Sequence, residues 1–177
     1  MDELSNINVE RERLLKCLQL KQVIRSGWTR FPIENPETVG SHSWGMALTA
    51  LLTCPPELDR EKVITLALIH DLAEVIVGDI TPYDGVPKDE KRAMEEQALA
   101  ELLDGHPRSE ELQSIWQEFE DRTSPEGKFV SDLDKLDMGL QAVSYQRQFS
   151  VDLSEFTNAS KRLVKNPELF SLLTNES

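Results

Sequence analysis

Leu66-Ala67-Leu68-Ile69-His70-Asp71-Leu72-Ala73-Glu74-Val75-Ile76-Val77 is apolar except at three positions. A run that is hydrophobic on all sides reads as a helix buried in a core. A charged group in such a place costs several kcal/mol unless something pairs with it (~2–7 kcal/mol even for an uncharged polar group). No lysine or arginine lies between Val63 and Tyr83, so His70, Asp71 and Glu74 have no counter-charge nearby in sequence. A bound divalent cation is the simplest physical answer. On a helix, positions 70 and 74 share a face, as do 71 and 74. Glu74 can therefore reach the same small volume as the other two.

Outward from this run the chain reads as helices joined by breakers. Residues 9–25 place Leu14, Leu15, Leu18, Val23 and Ile24 at helical spacing, and Ser26-Gly27 ends that helix. Residues 28–40 form a long loop that holds Trp28. Ser41 caps a helix running to about Thr53, which Pro55-Pro56 breaks, and Asp59 caps the central helix over about 60–77. A turn-rich loop spans 78–87, an amphipathic helix 88–103, and another helix Ser109 to Asp121. Ser124-Pro125 opens a long helix with Phe129, Val130, Leu133, Leu136, Leu140 and Val143 on its apolar face. A shorter helix near 152–164 and a last turn after Asn166-Pro167 complete the pattern. There is no strand signal and no linker, so the expectation is all-α, one domain over 1–177, with helices packed around the central one.

Composition narrows the class. At 177 residues with 39% hydrophobic and 29% charged content, the chain has enough to bury a core. The net charge of −13 argues against a nucleic-acid partner. No apolar run approaches the ~20 residues of a membrane helix, and the acidic, polar start is unlike a secretory signal. Cys17 and Cys54 fit no metal spacing and read as reduced thiols. These features point to a cytoplasmic protein. Charge is uneven, however: residues 11–30 carry six basic groups against Glu12 alone. Arg25 and Arg30 flank Gly27-Trp28, where they can attract a small anion.

Three histidines are available. His42 starts the second helix, His70 sits in the third, and His106 lies in a Gly-His-Pro turn that reads as surface. Two imidazoles with carboxylates suit Mn, Co or Fe; Mg is admissible but prefers fewer nitrogens. Helical phase leaves the partner on the long helix open. At ~100° per residue, Asp132 and Asp137 lie roughly 70° from the centre of the apolar face and Asp134 roughly 130°. Burial on a second side, along Met138, Gln141 and Tyr145, would remove the conflict. Lys88 to Arg92 and Glu95-Glu96 read as solvated helix surface, and Tyr83-Asp84 as a lid or a polar loop.

Ser41-His42-Ser43, His70-Asp71 and the later Val130-Ser131-Asp132-Leu133-Asp134-Lys135-Leu136 resemble the HD-domain superfamily of metal-dependent phosphohydrolases. Gly27-Trp28, His70-Asp71-Leu72-Ala73-Glu74 and Gly78-Asp79-Ile80-Thr81-Pro82 are similar to its 5′-deoxynucleotidase branch. The likeness covers about residues 14–145. It implies a compact helical HD-domain fold with one core metal site held by His42, His70, Asp71 and Asp134. It further implies Glu74 as general acid or base, Asp79 positioning the attacking water or the sugar, and Trp28 against the deoxyribose. Bacterial members carry an arginine just before the tryptophan. Here Gly27 stands there, which leaves the phosphate contact to Arg25 or Arg30. The implied activity is hydrolysis of deoxynucleoside 5′-monophosphates, often by a homodimer. Hydrolysis of guanosine polyphosphates or deoxynucleoside triphosphates, and a non-catalytic nucleotide-binding module, are the alternatives.

Overall fold

A computed structural model of the protein describes residues 3–174. The helices are α1 (Glu3–Cys17), α2 (Val39–Thr53), α3 (Arg60–Ile69), α4 (Glu74–Val77), α5 (Lys88–Leu102), α6 (Ser109–Asp121), α7 (Pro125–Phe149), α8 (Ser154–Leu163) and α9 (Pro167–Thr174). Short 3₁₀ turns occupy Leu18–Gln22, Ser26–Arg30 and Pro82–Asp84. Among the described residues the only β pairing is a lone antiparallel bridge between Ile24 and Thr38. No helix among them is long and apolar enough to cross a membrane.

Capping side chains set several of these starts. Asp59 accepts the Lys62 amide to open α3, and Ser124 accepts the Gly127 amide to open α7. α2 differs from its expected start: Thr38, not Ser41, is the cap, and the Ser41 amide is the group it satisfies. α1 stops at Cys17 and tightens into the 3₁₀ turn instead of running to residue 25. The expected loop over 28–40 begins inside another 3₁₀ turn that buries Trp28.

The expected continuous helix over 60–77 is broken. α3 ends at Ile69, and His70–Ala73 turn tightly before α4. Amides there bond three residues back: Leu72 to Ile69 (3.0 Å), Glu74 to Asp71 (3.1 Å) and Ile76 to Ala73 (3.0 Å). In such a stretch residues i and i+3 eclipse, which stacks Glu74 over Asp71. The Trp116 indole on α6 donates to the His70 carbonyl at 2.9 Å, giving this helix-end acceptor a partner. Burial of the run is also one-sided. Leu66 and Ala67 are fully buried, whereas Leu68 and Ile76 are exposed.

The hub of the molecule is α7, which packs on α2, α3, α6, α8 and α9. One side of it gives Phe129, Val130, Leu133 and Leu136 to a core shared with Met46, Ala50, Val63 and Leu66. A second side gives Ala142 and Tyr145 to a cluster with Trp28, Ile33 and Leu153, against which Met138 also packs. Leu140, expected in the core, is exposed and lines a groove of about 910 Å³ with Val143, α8 and α9. Gly139 permits the close approach on that flank: a Cβ there would lie 2.7 Å from Leu173 and 2.8 Å from Ser160.

Candidate metal centre

Packing α2, the end of α3 and α7 together converges four side chains. His42 is buried one turn into α2; its Nδ1 lies 2.7 Å from Asp137 Oδ2. His70, at the end of α3, is buried with Nδ1 3.1 Å from the Ala67 carbonyl. A carbonyl can only accept, so His70 carries its proton on Nδ1 and presents the lone pair of Nε2. The Asp137 carboxylate selects the same tautomer at His42. Both Nε2 atoms are buried and make no hydrogen bond. They point toward two carboxylates: His70 Nε2 is 3.1 Å from Asp71 Oδ2, and His42 Nε2 is 3.8 Å from that atom and 3.4 Å from Asp134 Oδ1. His42, His70 and Asp71 offer ligand atoms all within 4.8 Å of one another. Two orphaned imidazole lone pairs beside two carboxylates fit a divalent cation of the first-row type.

The phase conflict on α7 resolves through its second buried side. Asp134 and Asp137 both face His42, one at each ring nitrogen. Asp132 turns away, accepting the Lys165 and Asn166 amides at 3.1 and 2.7 Å.

Charge balance comes from residues distant in sequence, which the local reading could not see. Arg25 sits 3.2 Å from Asp71, and Lys135 Nζ is 2.5 Å from Asp134 Oδ2. Burial opposes the charge on Asp71, but His70, Arg25 and His42 outweigh it and hold the carboxyl well below its usual range. Burial and Arg25 likewise oppose an imidazolium at His42. The Asp134 and Asp137 carboxylates prevail and hold it up to about 9. The centre therefore draws a positive charge onto the lone pair that a cation would use. Glu74 behaves oppositely. Burial, then Asp71 and Asp79, push its carboxyl far upward, and its Oε2 has no partner. Both effects favour the protonated carboxyl.

The cleft over this centre has two lobes, about 240 and 280 Å³, that share Asp71, Lys91, Asp134 and Lys135. The smaller holds Glu74, Asp79, Arg25, Trp28, Arg30 and Tyr83. Asp79 Oδ2 accepts the Ser26 amide at 2.6 Å and its carbonyl accepts the Ser26 hydroxyl at 2.9 Å, fixing the Trp28 turn against the site. Trp28 is 1% exposed. Its indole donates to Glu37 at 2.7 Å and its ring packs on Phe156 and Tyr145. Arg30 is at the rim, paired with Glu155 and stacked 3.9 Å over the exposed Tyr83 ring. Tyr83-Asp84 form a capped turn with Thr81 at that rim. His106 stays in its surface turn, accepting the Arg108 amide at 3.1 Å.

Two expectations on α5 are overturned. Lys91 is half-buried in both lobes, donating to the Ile80 carbonyl at 2.9 Å and lying 3.3 Å from Glu95. Glu95 is itself 8% exposed, because α5 turns this edge onto the cleft and not to solvent. Lys88, Arg92 and Arg122 line the larger lobe. The i, i+4 pairing of Lys91 with Glu95 was visible in the sequence, but a solvated face gives the same pattern.

Helices arranged this way around a His/His-Asp/Asp cluster define the HD-domain class. The chain belongs to that family: the family model described as HD domain matches residues 17–169. Its relatives are more specific. It is 39% identical to the 5′-deoxynucleotidase hdd1 of Schizosaccharomyces pombe, over 86% of this chain and 81% of that one. It is 39% identical to the 5′-deoxynucleotidase HDDC2 of Mus musculus, over 88% and 80%. A conserved hypothetical protein from Pyrococcus furiosus superposes with a TM-score of 0.76 at 32% identity, covering 92% of this chain and 97% of that one.

Proposed function

We propose that this chain is a metal-dependent phosphomonoesterase that hydrolyses deoxynucleoside 5′-monophosphates to deoxynucleoside and phosphate. The observation that carries the reading is the pair of buried, unpartnered Nε2 atoms aimed at Asp71 and Asp134, with the buried Glu74 carboxyl alongside. The relatives named as 5′-deoxynucleotidases support the substrate class. His42, His70, Asp71 and Asp134 would hold one divalent ion, with Mn or Co suited to two nitrogens and two carboxylates. When bound, such an ion neutralises phosphoryl charge and makes a water more acidic.

The remaining work falls to the chain's own groups. Arg25, Lys91 and Lys135 all line the cleft and would meet the phosphoryl oxygens there. Of the two candidate arginines, Arg25 takes this role, since it lies against Asp71 at the centre, whereas Arg30 sits out at the rim with Glu155 and Tyr83. As the oxygen of water bonds to phosphorus and the bond from phosphorus to the 5′ oxygen breaks, Glu74 gives its proton to the departing 5′ oxygen and recovers one from the water oxygen now on phosphorus, leaving hydrogen phosphate. Asp79 orients the attacking water or the sugar. Trp28, braced by Glu37, Tyr145 and Phe156, is a rigid wall for the deoxyribose. The setting proposed is the cytoplasm, where both free cysteines stay reduced.

The test strips metal with chelator and assays deoxy- and ribonucleoside monophosphates, deoxynucleoside triphosphates and guanosine polyphosphates with added Mn, Co or Mg. Phosphate release from deoxynucleoside monophosphates is expected to vanish on stripping and return with Mn or Co. No release with any ion would end the enzyme reading. Glu74→Ala is expected to lower kcat by about 10²–10⁴-fold while the ion still binds; full turnover would remove Glu74 from the acid role.

A further inference from the structure

Asp137 belongs to no sequence motif noted above and does not face the phosphate cleft, yet it makes the shortest polar contact to His42. Its Oδ2 sits 2.7 Å from Nδ1, on the side of the ring away from Asp71 and Asp134. The contact is built by register. His42 and Gly45 are one turn apart on α2, and Asp134 and Asp137 are one turn apart on α7. The two helices pack so that one imidazole is held between two carboxylates of the same facing helix.

Gly45 is what lets Asp137 reach the ring. A Cβ at position 45 would lie 2.8 Å from Asp137 Oδ1, closer than side-chain carbons are found. α2 thus carries a residue of poor helix propensity where any side chain would displace this carboxylate. Behind Asp137 the contact is backed by a second acid. Glu37, His42 and Asp137 offer ligand atoms within 4.8 Å of one another, and Glu37 is itself fixed by the Trp28 indole and by its own amide's bond to the Tyr145 hydroxyl at 2.7 Å.

We propose that Asp137 is the positioning residue of the metal centre, holding His42 as the Nδ1–H tautomer with its Nε2 lone pair on the ion, and that the missing side chain of Gly45 leaves the space it occupies. The inference rests on the metal-site reading above. A carboxylate hydrogen-bonded to the far nitrogen of a ligating histidine fixes ring orientation and raises ligand basicity. Asp137 has the geometry for both effects. Asp134 cannot supply them, because it lies on the Nε2 side.

The experiment titrates chelator-treated protein with Co(II), reading affinity by calorimetry and the site by its visible absorption. Wild type is expected to bind one ion. Asp137→Asn keeps an acceptor but loses the charge, and should weaken Co(II) binding roughly 10- to 100-fold and shift the spectrum. Asp137→Ala should weaken it further. Gly45→Ala should also weaken binding, although helix propensity favours alanine and would leave the ion-free fold no less stable if propensity alone acted. Asp132→Asn is the control: it removes a charge from the same helix at a carboxylate that accepts the Lys165 and Asn166 amides and faces away from His42, and it should leave the Co(II) affinity within twofold of wild type. Wild-type affinity and an unchanged spectrum in Asp137→Asn would overturn the positioning role while leaving the metal site standing. Failure of wild type itself to bind Co(II) would overturn the site and this inference together.

Discussion

At the scale of single residues, the buried histidine and carboxyl of the centre give chelated protein a pH signature. His42 is held at about 9 in the folded chain against an ordinary 6.5. A group raised in this way contributes stability that is fully present below about 6.5 and is lost as pH rises through about 9. The gap corresponds to on the order of 3 kcal/mol. Glu74 acts in the same direction: its raised carboxyl keeps in the folded state a proton that the unfolded chain has already released above the ordinary value of 4.5. The melting temperature of chelated protein is therefore expected to fall steadily between pH 6 and pH 9. Saturating Mn or Co should flatten that fall, since the ion replaces the proton on Nε2 and neutralises the carboxylates facing it. A melting temperature for chelated protein that is flat or rising over this interval would contradict the assignment of both groups.

Helices show which parts of the architecture are written locally. Where a polar cap stands before an apolar run, as at Asp59 and at Ser124-Pro125, the start of the element is readable because the cap satisfies amides of its own first turn. The break at His70–Ala73 is not readable, because no Gly or Pro marks it and Trp116, 46 positions away, is what engages the carbonyl there. The same division holds in the centre. His42, His70 and Asp71 announce themselves by residue type and adjacency. Asp134 is legible only through the family resemblance and Arg25 only as one of two arginines beside Gly27-Trp28, whereas Asp137 and Lys91 acquire meaning only once α7 and α5 close around the centre. On α7 periodicity fails because two sides are buried, so no single apolar stripe exists to measure phase from. That double burial is testable at Gly139. A Val there would drive a methyl-bearing carbon into Leu173 and Ser160, and overpacking of this kind costs about 1–3 kcal/mol. Gly139→Val is expected to lower the urea midpoint accordingly while Co(II) affinity stays at the wild-type value, since the ligands lie on another part of the helix. An unchanged midpoint would mean that α8 and α9 are not held tightly on α7.

For the molecule as a whole the electrostatic problem is how a protein of net charge −13 admits a phosphate dianion. Mean charge repels it, and the Debye length of about 8 Å at physiological salt confines any local remedy to the cleft itself. The structure gathers that remedy from scattered segments: Arg25 from the N-terminal basic stretch, Lys88, Lys91 and Arg92 from α5, Arg122 from the end of α6, and Lys135 from α7. Lys91 is the informative member. It lines both lobes and touches none of the four candidate ligands; its own bonds are to the Ile80 carbonyl and Glu95. Burial works against its charge, yet the Glu95 and Asp71 carboxylates favour the ammonium and raise its pKa. Lys91→Ala removes one charge-assisted contact, worth about 1.5–3 kcal/mol, from an anion otherwise surrounded by acidic surface. KM for a deoxynucleoside monophosphate should accordingly rise roughly 10- to 100-fold, and inorganic phosphate should weaken as an inhibitor by a similar factor. Co(II) affinity should be nearly unchanged, because the four converging side chains remain. If KM and phosphate inhibition both stay at wild-type values, phosphate is held without Lys91, and the anion must be met by the other basic groups of the cleft.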